Sequence, residues 1–314
     1  MAGYIVGRVL QAIPVLFLAS IAVFLVLRLV PGDPATRLAG QDATPAQVQQ
    51  IRKELGLTDP LPVQYGRWLD DLAHGNLGTS LSSGLPVSHL LALSFPPTLE
   101  LAVASYIIAL LIGIPLGVLA GARPRGAWDW VLSVYSVFAL GVPHFMSGIL
   151  LLLVFTVWLH WLPVGGQVAF TNSPLESIKY LALPSLALGA GVAAVLARYT
   201  RTALADVMDM DFIRTARAKG LEPRVVVIRH ALRNALVPVI TISALQIGGL
   251  LAGAIVIEQV FTRPGLGRLI INAINTRDYL VIQSTLVIFV AIFVVVNLLA
   301  DIAYGLADPR VRRS

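Results

Sequence analysis

The sequence contains no cysteine, which excludes disulfides, thiolate metal sites and cysteine nucleophiles. Charge is also scarce. Asp, Glu, Lys and Arg make up 13% of the 314 residues and hydrophobic residues 57%, whereas soluble domains carry about 25% charged residues. With a mean hydropathy of +0.80, that deficit points to lipid as the solvent. Gly-Lys-Ser and Gly-Lys-Thr are missing, so the chain has no Walker A loop to cradle ATP phosphates. HExxH and Gly-x-Ser-x-Gly are missing too. The five histidines, His74, His89, His144, His160 and His230, lack metal-ligand spacing and read as polar interface residues. No nucleophile, metal set or acid–base pair stands out, which argues against a membrane enzyme.

What the chain does have is long apolar runs, near residues 9–30, 98–120, 130–159, 180–200, 237–261 and 280–304. A helix needs about 20 apolar residues to cross roughly 30 Å of hydrocarbon, and the period-2 alternation of a membrane barrel is absent. The expectation is an all-α polytopic membrane protein with six transmembrane helices. The first run is longer than the usual core of about 7–15 residues in a cleaved signal, and no clear small-x-small site follows it. It reads as an uncleaved anchor.

The net charge of +6 does not indicate nucleic acid, because its distribution reports topology instead. With the N-terminus inside, Arg8, Arg123, Arg125, Arg198, Arg201, Arg214, Arg217, Lys219, Arg224, Arg229, Arg233, Arg310, Arg312 and Arg313 fall on one side. By the positive-inside rule that side is the cytoplasm, and both termini lie there. Arg28, Arg37, Arg52, Lys53 and Arg67 belong to the first outside connection or its edge, which is long enough to count little.

That connection, residues 31–97, is the sizeable water-exposed segment. Thr44-Pro45 supplies an N-cap residue and a proline at the first helical position, and Gly56 ends that helix. A second short helix spans 62–74 and stops at Gly75. Arg52, Lys53 and Glu54 stand beside Asp59, Asp70 and Asp71. A small cap packed on the bundle and a docking site for a partner are equally consistent with this pattern.

Within the spans, Gly113, Gly117 and Gly121 recur every fourth residue, as do Gly249 and Gly253. Small residues at that spacing let helix backbones approach closely in lipid. Helix packing is the favoured reading, ahead of a sliding gate. Glu100, Glu258 and Asp301 sit near span ends, where a carboxylate costs less than at mid-membrane. They suit a structural or vestibule role better than a proton relay. Arg28 can extend its head to the outer headgroups.

The inside connection between the fourth and fifth spans is the most informative. Residues 202–219 favour helix, Gly220 stands where a left-handed C′ residue belongs with Leu221 after it, and Pro223 starts a second helix through Arg233. The result is a helical hairpin, with six Lys or Arg (Arg214, Arg217, Lys219, Arg224, Arg229, Arg233) against two acids (Asp211, Glu222). Small Thr215, Ala216 and Ala218 would let another surface approach. A basic loop lying on anionic headgroups gives the same charge pattern, so charge alone does not decide.

The segment FIRTARAKGLEPRVVVIRHALRNALVP resembles the permease signature loop of bacterial ABC importers. VPGDPA after the first span, GNLGTSL at residues 75–81, EQVFTRPGLGRLIINAINTRDY at 258–279 and ADPRVR at the C-terminus are similar to the dipeptide, oligopeptide and nickel branch. The short N-terminus and long first outside connection resemble its B-type subunit. One departure is Arg214-Thr215-Ala216, which stands where the general pattern has Glu-Ala-Ala.

The resemblance implies an ABC importer permease fold in a bacterial inner membrane. The organisation would be an N-terminus and first helix (1–30), an extracytoplasmic helical segment (31–97), helices two to six (98–308) with the coupling hairpin at 202–236, and a tail (309–314). Arg214, Thr215, Ala216, Arg217, Ala218, Lys219 and Gly220 would engage a cytoplasmic ATPase. Arg263, Pro264, Gly265, Asp70 and Asp71 would meet an extracytoplasmic substrate-binding protein, with Leu266, Leu269, Ile270 and Ile274 forming an apolar stripe beside them. A homologous C-type permease, two ATPases holding ATP and Mg, and membrane lipid complete the expected partners. No cofactor is expected in this chain, and its cargo would be dipeptides or oligopeptides. A gradient-driven secondary transporter or channel is the alternative, which paired charges at mid-membrane or helices broken at matching places in two halves would favour.

Overall fold

The structure, a computed structural model, describes residues 2–29, 34–40, 43–54 and 56–307. Most of the VPGDPA motif, including Pro31 and Asp33, and the basic tail with Arg310, Arg312 and Arg313 lie outside the described residues, as do the side chains of Arg28, Arg37, Glu54 and Asp301. The elements are α1 (Ala2–Leu29), α2 (Pro34–Ala39), α3 (Pro45–Glu54), α4 (Leu61–Ala73), α5 (Val87–Ala122), α6 (Ala127–Gly141) and α7 (His144–Leu151), the last continued by a π-helical turn (Leu152–Trp158). Then follow α8 (Pro174–Met208), α9 (Asp211–Ala218), α10 (Pro223–Val225), a second π-helical turn (Val226–Ala231), α11 (Leu232–Val260), α12 (Leu266–Thr276) and α13 (Tyr279–Ala307). Among the described residues there is no strand, only one β-bridge between Thr79 and Pro86.

Among the described residues, five helices are long and apolar enough to cross a bilayer. A sixth crossing exists only if the bent pair Ala127–Gly141 and His144–Trp158, which meet at 104°, is one span. The sequence reads as a straight third helix here, and Pro143 is the reason it is not. Proline disfavours the α conformation in the residue before it, and Val142 adopts extended angles of φ −94° and ψ 124°. The second span also differs from expectation. α5 starts at Val87 rather than near Thr98 and continues without a break past Pro96, Pro97 and Pro115, so the last part of the connection between the first two spans is helix.

The chain clusters into two compact units. One comprises Met1–Leu10, Pro96–Arg268 and Val295–Ser314. Its centre is α8, which packs on α11, α6 and α7 around Leu188, Val192, Ala193, Leu196, Leu250 and Ile257. The Gly113, Gly117 and Gly121 stripe of α5 lies on α8. A Cβ at those three positions would come within 2.7, 2.5 and 2.8 Å of the carbonyl oxygens of Ala193, Ala197 and Arg201. Helix packing therefore accounts for the stripe. The second glycine pair behaves unevenly: Gly253 faces Leu188, whereas Gly249 faces open space.

The other unit comprises Gln11–Phe95 and Leu269–Val294. Thr44 and Gln47 form a capping box at the start of α3, with 2.8 and 3.4 Å hydrogen bonds in the two directions. Gly56 (φ 64°) and Gly75 (φ 73°) end α3 and α4 in the left-handed conformation, as the sequence indicates. Tyr65 and Trp68 of α4 pack on Phe24, Tyr65 edge-on at a ring distance of 5.3 Å and Trp68 tilted at 5.9 Å. At the start of α13, buried Asp278 accepts hydrogen bonds from Ser80 Oγ (2.6 Å), Ser82 N–H (3.1 Å) and Ser82 Oγ (3.0 Å). Two motifs quoted separately above, GNLGTSL and the TRDY end of the long one, thus meet in one cluster.

Candidate functional site: the helical hairpin at residues 209–233 and the buried cluster at residues 97–100 and 258–268

The hairpin follows α8 directly. That helix runs on to Met208, past the expected end of the fourth span, and the chain then turns through Asp209 and Met210 into α9. The first arm is therefore a short helix of its own rather than one helix over 202–219. Its end is a Schellman motif: Gly220 N–H donates to Arg217 O (2.9 Å), Leu221 N–H to Ala216 O (3.4 Å), and Gly220 sits at φ 77°. Pro223 opens α10 at the first helical position. The second arm does not stop at Arg233. The π-helical turn carries it into α11, so one helical rod runs from Pro223 to Val260.

The two faces of α9 are sharply divided. Ile213 and Ala216 are buried with Leu204, Val207, Val226, Ala231 and Ala235, which seats the hairpin on the ends of α8 and α11. Arg214, Thr215, Arg217, Ala218, Lys219 and Gly220 are exposed. Ala216 is accordingly not available for contact with another protein; at 7% exposure it packs inward. Arg214 pairs with Asp211 at 3.2 Å, and Thr215 Oγ1 donates to Asp211 O at 3.0 Å.

The second cluster corrects the outer-contact expectation. Arg263 is 1% exposed. It ion-pairs with Glu100 at 2.6 Å and donates through Nε to Pro97 O at 3.2 Å, while Gln167 Nε2 donates to Glu100 at 3.1 Å. Burial pushes the Arg263 guanidinium below its ordinary value, and the Glu100 and Glu258 carboxylates oppose that shift. Gly265 and Leu266 are buried as well, and of the tripeptide Arg263-Pro264-Gly265 only Pro264 is exposed. The apolar stripe turns inward at Leu266 and Ile270, leaving Ile274 outside. Asp70 and Asp71 of α4 are exposed; Asp71 accepts from Asn76 Nδ2 at 3.0 Å.

Glu258 organises this loop. Fully buried, it accepts from Thr98 Oγ1 (2.6 Å), Gly267 N–H (2.7 Å) and Arg268 N–H (3.2 Å), and Leu266 N–H donates to Thr98 Oγ1 (2.8 Å). The unsatisfied N–H groups at the start of α12 are therefore capped by side chains of α5 and α11. Sequence reasoning singled out Glu258 and Glu100 as structural acids but missed Thr98 and Gln167, whose types carry no positional signal.

The binding-protein-dependent transport system inner membrane component family matches residues 113–313, and its N-terminal component matches residues 1–102. The chain belongs to this family of ABC importer permeases. The permease is 40% identical, over 99% of its length and 100% of the relative's, to a probable peptide ABC transporter permease of Sinorhizobium fredii. It is 42% identical to a glutathione transport system permease of Pectobacterium atrosepticum and 45% to a putative peptide transport system permease of Brucella suis, with 99% of both chains covered in each case. An inward-facing structure of the MetNI methionine ABC transporter shares its fold, with a TM-score of 0.59 at 20% identity over 71% of this chain and 98% of that one. The permease is thus a membrane-embedded transport subunit of an ABC importer, and the gradient-driven alternative falls away.

Proposed function

We propose that this permease pairs with a homologous C-type permease to form the pathway of a peptide importer in a bacterial inner membrane, with both termini in the cytoplasm. Two separate ATPase subunits, holding ATP and Mg, grip the hairpin from inside, and an extracytoplasmic binding protein delivers cargo from outside. The observation that carries the coupling role is the division of α9: an exposed rim of Arg214, Thr215, Arg217, Ala218, Lys219 and Gly220 on a base sealed by Ile213 and Ala216. Such a rim can be gripped without unfolding its seat, and the seat is built from α8 and from the rod that becomes α11. A ligand shifts a conformational equilibrium only as far as its affinities for the two states differ. ATP bound elsewhere must therefore act through a rigid handle, and this hairpin is one. Asp70, Asp71 and Pro264 remain the outer contact candidates. Peptide cargo rests on the relatives' names and on the branch motifs.

Affinity purification of the tagged permease tests the assembly. Two ATPases and a second permease are expected to accompany it, and peptide uptake by the reconstituted complex is expected to require ATP. Recovery of the chain alone, moving cargo unaided, would overturn the reading.

A further inference from the structure

One face of α8 does not pack into the core, and three cavities follow one another along it. The first, about 750 Å3, opens between α6 and α8 and is bounded by Ser136, Leu140, Arg198 and Thr202 among others. The second, about 300 Å3, shares Arg198 and Thr202 and extends to Val195. The third, about 230 Å3, shares Leu140 and Val195 and reaches His144 and Gln246 beside the bend at Pro143. Shared lining residues join them into one trough. From Asp129 to Gly141 its α6 wall is about 18 Å long at 1.5 Å per residue, more than half the hydrocarbon thickness of a bilayer.

The first cavity is too polar for lipid, lined as it is by Asp129, Ser133, Ser136, Arg198, Arg201 and Thr202, while the third is apolar apart from His144 and Gln246. Polar and ionisable side chains within membrane spans face protein or water-filled space rather than hydrocarbon. Two groups here have unmet needs. Ser136 is 8% exposed, and its hydroxyl is buried with no hydrogen-bond partner among the described residues. Arg198 is exposed, and its guanidinium has no partner among the described residues, whereas neighbouring Arg201 is neutralised by a two-pronged pair with Asp129 at 2.6 and 2.8 Å. With Asp129 and Arg201 cancelling, the trough carries, among the described residues, one free positive charge at the end marked cytoplasmic by its basic residues.

We propose that this trough is the wall this chain contributes to a water-filled translocation path, and that Arg198 receives the free carboxylate of the cargo at its cytoplasmic end. The proposal rests on the importer reading and narrows the cargo to carboxylate-bearing solutes, such as a peptide with an unblocked C-terminus. A planar guanidinium matches a carboxylate with two parallel hydrogen bonds. A single free cation on a path walled by low-dielectric protein also raises the local concentration of anions.

Because the chain has no cysteine, one introduced thiol is the only one on this subunit. Val195→Cys in the assembled transporter is treated with anionic and cationic methanethiosulfonates of similar size, and labelling is read as a mass shift of this chain. Both reagents are expected to react, with the anionic-to-cationic rate ratio falling roughly threefold to tenfold in the Arg198→Gln background and holding in Arg198→Lys. No labelling from water, as when lipid or the partner permease covers the face, overturns the proposal, and so does an unchanged ratio. In a second arm, Arg198→Gln is expected to lower uptake of a free-acid peptide several-fold more than uptake of its C-terminal amide; equal losses overturn the carboxylate role. Failure of the unaltered complex to move either peptide sinks the peptide reading alone, and the labelling ratio still decides the trough.

Discussion

Thr98 Oγ1 donates a 2.6 Å hydrogen bond to Glu258 across 160 positions of sequence, and the same oxygen accepts the Leu266 N–H at 2.8 Å. One hydroxyl thus ties α5, α11 and the start of α12 together. Thr98→Val removes both bonds and leaves a buried carboxylate and a buried N–H short of a partner, at about 1–3 kcal/mol for each unsatisfied group. Thr98→Ser keeps both. Thermal unfolding of the purified permease in detergent is expected to place the serine variant near the parent and the valine variant well below it.

Arg263 and Glu100 form a second buried tie in the same unit, at 2.6 Å with Arg263 1% exposed. Removing one partner of a buried pair costs about 3–5 kcal/mol, because the other charge stays behind uncompensated. Glu100→Ala is expected to destabilise by roughly that amount. Combining it with Arg263→Met removes the stranded charge, so the double variant is expected to lose less than the two single losses added together. A double-mutant cycle on melting measures it.

These ties show where the sequence is legible and where it is not. The turn of the hairpin reads well because its signals are local: Gly220 must be left-handed, Pro223 must start a helix, and Arg214, Arg217 and Lys219 have no apolar place to go. Gly113, Gly117 and Gly121 read well for the same reason, since period and size alone mark a packing face. The bend before Pro143 was written in the residue types yet hidden by the unbroken apolar run, which scores as one span. Arg263 reads as an exposed contact residue in the sequence because its burial depends on Glu100 and Pro97, more than 160 residues earlier, and nothing local announces that partnership. The resemblance places Ala216 at the ATPase contact, but it lies on the same α9 face as Ile213, and that face packs inward.

Asp278 gives the permease a pH dependence of known sign. Burial pushes its carboxyl up, but the hydrogen bonds from Ser80, Ser82 and Val281 outweigh that and hold it below the usual carboxylate range. A group with a depressed folded-state value stabilises the protein above its unfolded value, about 4. That contribution is lost as pH falls through the folded value. Melting temperature is therefore expected to fall on acidification through about pH 4, and less steeply in Asp278→Asn, which also starts lower. Parallel curves for parent and variant would remove Asp278 from this role.

Gly220 and Ala216 separate the rim of the hairpin from its seat. A β-branched residue at φ 77° is strained by about 1–2 kcal/mol, so Gly220→Val is expected to disrupt the Schellman turn and abolish ATP-driven uptake while the chain still inserts. Ala216→Glu places a charge in the buried cluster under α9. It is expected to lower stability as well as uptake, measured by melting and by transport in the same preparation. Lys219→Ala, on the exposed rim, is expected to leave melting unchanged.

The account stands on the exposed rim of α9 touching a nucleotide-hydrolysing partner that this chain does not contain. A photo-reactive phenylalanine analogue at position 219, illuminated in the assembled transporter, tests that contact directly. The account predicts a covalent adduct with an ATPase subunit that is strong in the complex and absent from the isolated permease. Adducts with the extracytoplasmic binding protein, or none with any ATPase in a transport-competent complex, would contradict it.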